Sequence, residues 1–269
     1  MDTLATDSDP WVVPPGEEVL PGYRVEALLA RGGRADTYDA TSTVRDCRVV
    51  VKVVRPDRLH EDRIRDALLL EGELLTTLTH PHLVRGYDVL RHPRPAVVLE
   101  TLPGATLGAL VEDRRLGVAD AVVLGRQLVS VLGYLHHQGW LHLDLKPDNV
   151  VVQEGRAVLI DLGVARRPGT RTSPAGTEGY TAPEQETTGE LTTATDVWGW
   201  GATVYAAVVG RAPGRHPDLR PLPTALRELV GSCLVDPPDA RIGLDDLRVA
   251  LDRLDGLGRF PRRGLLPWR

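Results

Sequence analysis

The sequence of 269 residues predicts an α+β protein in two lobes, an antiparallel β-sheet with one helix followed by a mostly helical part. Three observations predict it. Short β-branched runs crowd the stretch from Tyr23 to Glu100, helical patterning takes over beyond Thr106, and Pro103-Gly104 separates the two regimes. Strands first and helices second imply segregated layers. At roughly 150 residues per domain, the length suits one large domain or two lobes.

In chain order, Met1–Gly22 is rich in Pro, Asp and Glu without periodicity and reads as a flexible leader or an arm lying on the domain. The first lobe is expected over residues 23–102. Tyr23–Ala30 and Arg48–Val54 have strand character, with Asp36–Thr41 a third strand between them and Gly32-Gly33 supplying the first turn. Apolar residues at Ile64, Leu68, Leu75 and Leu78 make Glu61–Leu78 a helix, closed by His80-Pro81. Gly86–Leu90 and Ala96–Glu100 add two more strands, and the lobes join near Thr101–Gly104. The second lobe is expected over residues 103–256, with residues 257–269 as a tail. Thr106 is suited to cap a helix, and Ala119–His137 is a long amphipathic helix ended by Gly139. Val150–Gln153 and Ala157–Ile160 form a hairpin around Glu154-Gly155. Helices are expected at Thr195–Gly210, Thr224–Leu234 and Leu244–Leu254.

Composition narrows the function classes. A formal net charge of −5 disfavours binding to a phosphate backbone, so nucleic acid is not an expected partner. Cys47 and Cys233 are too few for a disulfide framework or a Cys-rich zinc site, and Met1–Pro10 lacks an apolar signal core, which points to the cytoplasm. The run Val197–Gly210, taken as the longest weakly polar one, is shorter than the roughly 20 residues of a bilayer span and reads as a core helix. Only two of the 32 basic residues are lysines, Lys52 and Lys146, and Asn149 is the sole asparagine.

The most informative stretch is His142-Leu143-Asp144-Leu145-Lys146-Pro147-Asp148-Asn149, with Asp161-Leu162-Gly163 beginning 17 residues after Asp144. Here the chain resembles the protein-kinase family, whose catalytic loop is H-x-D-x-K-x-x-N and whose metal motif is D-F-G. The resemblance implies the bilobal protein-kinase fold; the lysine at 146 resembles Ser/Thr more than Tyr kinases, and Gln185, after Ala182-Pro183-Glu184, resembles the bacterial-type Ser/Thr branch. Phosphoryl transfer asks chiefly for positioning and charge compensation. By resemblance, Asp144 accepts the substrate hydroxyl proton, Asn149 and Asp161 hold Mg²⁺ through oxygen, and Lys146 neutralises the γ-phosphate. Val49-Val50-Val51-Lys52 resembles the V-A-I-K strand, which puts Lys52 on the α- and β-phosphates with Glu71 orienting it. Gly176-Thr177-Glu178-Gly179-Tyr180-Thr181-Ala182-Pro183-Glu184 resembles the end of an activation segment, with Thr177 bridging Asp144 and Lys146. Gln185 extends it to A-P-E-Q. Asp196 matches the buried aspartate that caps the catalytic loop, and Arg241 the partner of Glu184. The resemblance also assigns Glu100 and Leu102, beside the lobe junction, to the nucleotide.

Several positions depart from the family pattern. The glycine-rich loop maps to Ala30-Arg31-Gly32-Gly33-Arg34-Ala35, where one motif glycine survives and Arg34 faces either phosphate or solvent. Thr37 replaces the valine over the adenine, and Val50 the alanine of V-A-I-K. Leu143 replaces the arginine that receives an activation-loop phosphate, so activity is expected without phosphorylation of Thr170, Thr172 or Ser173. Leu162 conservatively replaces the phenylalanine of D-F-G. Only Gly214–Pro223 follows the central helix, shortening the region where a substrate platform is expected. The implied function is Mg-ATP-dependent transfer to serine or threonine of a protein, with any regulator a separate protein or the leader. The alternatives are a pseudokinase scaffold and a small-molecule phosphotransferase similar to aminoglycoside kinases.

Overall fold

The computed structural model describes residues 11–170, 176–187 and 189–256. The chain divides into two units, Met1–Thr79 with Val84–Thr101, and His80–Leu83 with Leu102–Arg269.

The first unit is built on strands β1 (Glu18–Leu20), β2 (Tyr23–Arg31), β3 (Ala35–Ser42), β4 (Cys47–Val54), β5 (Gly86–Leu90) and β6 (Ala96–Glu100). They form one sheet in the order β1-β2-β3-β4-β6-β5, and every pairing is antiparallel. Successive side chains on a strand face opposite ways. Val49, Val51 and Val53 therefore bury one face of β4 with Tyr23, Val25 and Tyr38, while Val50 and Lys52 take the other. Ala30 stands opposite Thr37, Thr37 opposite Lys52, and Lys52 opposite Val97, a row across four strands.

Helix α1 (Asp62–Thr77) packs on that second face, burying Leu68, Glu71, Leu74 and Leu75. Its close approach depends on Gly72, where a Cβ would lie 2.7 Å from a Val97 methyl and 2.8 Å from one of Val89. Glu71 is thereby brought to β4.

Two domain expectations are corrected. The end of the leader belongs to the sheet: Val12 and Val13 pack on its core, the Gly16 amide donates to the Val25 carbonyl (2.8 Å), and β1 pairs with β2. Backbone groups that would otherwise be unpaired find partners there. Residues 1–10 and the tail residues 257–269 lie outside the described residues. Residues His80–Leu83, expected in the first lobe, belong to the second unit, because Leu159 donates to the His82 carbonyl (2.9 Å) and His80 stacks on Tyr134.

The second unit contains α2 (Leu107–Asp113), α3 (Val118–His137), α4 (Thr193–Val209), α5 (Thr224–Cys233) and α6 (Leu244–Gly256). A small sheet, β7 (Ala105–Thr106), β8 (Val150–Gln153) and β9 (Arg156–Leu159), carries the hairpin. Thr106 caps α2 by accepting from the Ala109 amide at 3.2 Å. The hairpin turns at Glu154 and Gly155, with φ of 49° and 81°, where a glycine at the second position avoids a Cβ clash. α4 is buried from Thr195 through Val209. Among the described residues between α4 and α5 there is no helix, as the Pro- and Arg-rich composition predicts.

The expectation about the longest apolar run needs correction. α3, with 20 residues, is long and apolar enough to cross a membrane by length and composition alone. It packs against α4 and α6 and buries Leu124, Leu128, Leu132 and Leu135. Those contacts identify it as a core helix.

Gly72→Ala tests the α1 contact. Alanine favours a helix interior by about 1 kcal/mol over glycine, but overpacking two stiff valines costs about 1–3 kcal/mol. A net loss in the urea midpoint is the expected outcome.

Candidate active site

In the first unit, Lys52 Nζ donates to both carboxylate oxygens of Glu71, at 2.8 Å each. The Glu71 side chain is 2% exposed and that of Lys52 18%, so the pair is largely desolvated and geometrically fixed. Glu73, the neighbour that spacing could confuse with Glu71, instead pairs with Arg91 on the surface. Thr37 and Val50 share the sheet face of Lys52.

The β2–β3 turn retains a glycine where one is needed. The Gly32 amide donates to the Ala35 carbonyl at 3.0 Å, and a Cβ on Gly32 would lie 2.6 Å from that oxygen. Gly33 is in open space and Arg34 is exposed. Arg55, which the motif did not point to, ties the turn down. Its amide donates to the Arg34 carbonyl (3.1 Å) and its guanidinium to the Gly32 carbonyl (3.2 Å), while Asp57 holds it by a bidentate pair. The Glu100 carboxylate accepts from the Arg85 amide at 2.9 Å. Leu102 lies in the second unit, its carbonyl accepting from Gly104.

In the second unit three predicted side chains, those of Thr177, Lys146 and Asn149, converge on Asp144. Its Oδ1 accepts from Thr177 Oγ1 at 2.8 Å, and its Oδ2 lies 3.0 Å from Lys146 Nζ. Lys146 also donates to Thr177 Oγ1. Asn149 Nδ2 donates to the Asp144 carbonyl (2.8 Å) and to Oδ2 (3.0 Å). Asp161 Oδ1 accepts from the Gly163 amide at 2.7 Å, which fixes its carboxylate at the start of its loop. Thr177 arrives from a segment more than thirty residues downstream, so this contact is a product of the fold and not of local spacing.

The loop is held from beneath by Asp196, whose side chain is fully buried in the first turn of α4. It accepts from the amides of His142 and Leu143 and from His136 Nε2, each at 2.8 Å. Burial opposes ionisation, yet the His136 hydrogen bond, the electrostatic influence of the neighbouring His136 and His142 rings and the Leu143 amide hold its carboxyl below the usual carboxylate range. Leu143 has φ 68°, a left-handed conformation. Its side chain packs with Leu141, Leu191 and partly buried Val164, and its carbonyl accepts from Gln185 Nε2 at 2.8 Å.

The segment leading to Thr177 is anchored at its start by residues that the motifs did not reveal. Arg167 donates to the carbonyls of Gln138 and Gly139 (3.0 and 3.1 Å) at the end of α3 and lies 4.0 Å from the Trp140 ring centroid. A cation there complements the helix C-terminus. Leu141 and Arg166 exchange backbone hydrogen bonds, as do Gly169 and Thr170 with Leu191. Thr172 and Ser173 lie outside the described residues.

The donor set suits a hard divalent cation. Asn149 and Asp161 offer a carboxamide and a carboxylate, the oxygen ligands Mg²⁺ takes while keeping water and phosphate in its remaining positions. Both Asn149 amide hydrogens are committed to Asp144, and no hydrogen bond among the described residues uses its Oδ1. No cluster of three or more His, Cys, Asp or Glu fit for a metal occurs among the described residues, which sets this pair apart from a dedicated protein cage.

Glu184 and Arg241 form a buried bidentate pair, 2.6 and 2.8 Å. Arg241 spends its other hydrogen bonds on the carbonyls of Val235, Ala194 and Asp236 and lies 5.1 Å from the Trp198 ring centroid. Burial raises the Glu184 carboxyl, but Arg241 outweighs it and the net shift is downward from 4.5. Folded Glu184 thus binds fewer protons than unfolded, so its contribution is complete above about pH 4.5 and lost as pH falls through the depressed folded value. Arg241→Ala is expected to cost about 3–5 kcal/mol in urea unfolding at pH 7. The gap to the wild type should narrow as pH falls, beginning above about pH 4.5, because burial without Arg241 raises the stranded carboxyl and its protonation removes the unpaired charge.

Comparison with known proteins agrees with this geometry. The profile described as "Protein kinase domain" matches residues 23–247. Maternal embryonic leucine zipper kinase of Xenopus laevis is 31% identical over 206 residues, 73% of this chain and 31% of the relative. Serine/threonine-protein kinase PknG of Mycolicibacterium smegmatis is 33% identical over 214 residues, 76% of this chain and 28% of its own length. Serine/threonine-protein kinase PknD of Mycobacterium tuberculosis is 30% identical over 246 residues, 88% of this chain and 36% of its own length. The chain thus spans about a third of the length of these relatives, and the part matched by the profile carries Lys52, Asp144 and Asp161. With the fold, the catalytic-loop geometry and the profile in agreement, the chain belongs to the protein kinase domain family.

Proposed function

We propose that the chain transfers the γ-phosphoryl group of Mg-ATP to serine or threonine hydroxyls of a protein. The observation that carries this reading is the set around Asp144: Lys146, Thr177 and Asn149 all reach its carboxylate or one another within hydrogen-bonding distance. An arrangement kept only for scaffolding has no need of a lysine at 146 in a chain that otherwise uses arginine. The names of PknG and PknD support serine and threonine as acceptors.

In this reading Asp144 orients the acceptor hydroxyl and takes its proton as the bond to phosphorus forms, a contribution of about 10²–10⁴ in rate. Asn149 holds the Asp144 carboxylate in place and, with Asp161, would bind Mg²⁺, which supplies charge neutralisation on the phosphates. Lys146 compensates developing negative charge. Lys52, kept in one rotamer by Glu71, contacts the α- and β-phosphates.

Activity independent of activation-segment phosphorylation is part of the proposal. Leu143 occupies an apolar cluster and offers no cation to a phosphate, while Arg167, Leu141 and Leu191 tie down the start of the segment with unmodified groups. A second reading, a scaffold that binds nucleotide or protein without transfer, is favoured by one feature, the alanines at 30 and 35 of the glycine loop.

Incubation with Mg²⁺ and γ-labelled ATP separates them. Transfer to protein that disappears in both Asp144→Asn and Asp161→Ala is the expected result; nucleotide binding without transfer establishes the scaffold, and transfer only to added small hydroxyl compounds a small-molecule phosphotransferase. The combined change of Thr170, Thr172 and Ser173 to Ala should leave the wild-type rate within about twofold; loss rescued by acidic residues would show a phosphorylation switch.

A further inference from the structure

We propose that Gln185 is a positioning residue for Asp144, acting through the peptide plane between Leu143 and Asp144; the inference rests on the phosphotransfer reading. That plane needs holding. Leu143 is a non-glycine residue at φ 68°, a region such residues occupy only where the surroundings impose it. Its amide is fixed by Asp196 Oδ1, but the carbonyl belongs to the next peptide unit, whose N–H is that of Asp144. Gln185 Nε2 donates to that carbonyl at 2.8 Å, and the Asp144 amide donates to His142 Nδ1 at 3.2 Å. The plane is therefore gripped at both of its polar ends, and its tilt sets where the Asp144 carboxylate points.

The amide orientation is unambiguous. Gln185 Oε1 accepts from the Ala182 amide at 3.0 Å, a group that can only donate, while the Leu143 carbonyl can only accept. Gln185 is buried, and it directly follows Glu184, which Arg241 immobilises. One side chain thus joins the end of the segment bearing Thr177 to the residue preceding Asp144. No other described side chain is hydrogen-bonded to the Leu143 carbonyl.

A carboxylic acid reproduces this pattern only when protonated, its O–H replacing the amide donor; ionised, it confronts the Leu143 carbonyl with negative charge. The titratable and charged groups around position 185 are Asp144 of the catalytic loop, Asp196 of α4, Tyr180 of the preceding segment, all lining one small cavity with Gln185, and Glu184 paired with Arg241. Burial beside Asp144 and Asp196 would raise the pKa of a glutamate placed there.

The test compares Gln185→Met, which keeps length without hydrogen bonds, with Gln185→Glu and the wild type. Activity is measured with Mg-ATP and a mixed Ser/Thr peptide library, folding by urea midpoint. Gln185→Met is expected to lower kcat about tenfold or more with KM for ATP unchanged. The ratio of Gln185→Glu to wild-type kcat should climb from about pH 8 to about pH 6, whereas that of Gln185→Met stays flat. A Gln185→Met kcat within about twofold of wild type, or a pH-independent Gln185→Glu ratio, overturns the proposal. Hydrogen exchange reads the same contact without turnover: the Leu143 and Asp144 amides should exchange faster in Gln185→Met, and unchanged exchange also overturns it. If the wild type transfers nothing while those amides respond, the phosphotransfer reading has failed and the anchoring of the Leu143–Asp144 peptide has not.

Discussion

The buried carboxylate of Asp196 is the constraint on which the rest of the site depends. An ionised group taken out of water costs several kcal/mol unless hydrogen bonds replace its hydration, and here two catalytic-loop amides and one histidine replace it. Because Asp196 sits in the first turn of α4, the helix dipole adds to its stabilisation. The most deeply buried helix of its unit thus carries the reference point for the loop, and Gly199, one turn on, lets the Leu145 Cβ approach to 3.2 Å of where its own Cβ would stand. Position and charge state are set by the same contacts. Asp144, Lys146 and Asn149 inherit their placement from a side chain that never meets solvent.

Above this anchor the contacts are apolar. Leu143 packs in a cluster with Leu141, Leu191 and partly buried Val164. Such contacts are insensitive to ionic strength and carry no desolvated charge to be neutralised. Arg167, 4.0 Å from the Trp140 ring centroid, adds a further contact at the start of the segment.

Much of this was legible in the sequence, for reasons that differ from element to element. Strands β5, β6 and β8 have the expected limits, and α1 and α3 differ by a residue, because their apolar period runs to the ends and a turn residue stops it. Lys52, Glu71, Asp144, Asn149, Asp161 and Thr177 were singled out by resemblance to the protein-kinase motifs, whose letters fix residue type and spacing together. β1 was not, since three residues show no period, and its existence follows from pairing with β2. The allegiance of His80–Leu83 was hidden for a similar reason: it is decided by β9, some eighty residues away. Arg55 and Arg167 carry no motif because a guanidinium reaching a carbonyl can come from many positions. Gln185 was visible as a letter of A-P-E-Q, but its partner, the Leu143 carbonyl, exists only as a backbone conformation.

The scarcity of lysine has a consequence for covalent chemistry. An amine-selective acylating reagent meets only two ε-amino groups in the whole chain, and both are held in ion pairs with side chains 18% exposed. Neither is a bystander. In most proteins such labelling is spread over a crowd of surface lysines; in this one acylation of ε-amino groups, read apart from the α-amine by peptide mapping, reports on whether Lys52 and Lys146 are engaged, one from each structural unit. The arginine-rich surface stays silent, and the protein carries its own two-channel probe of the site.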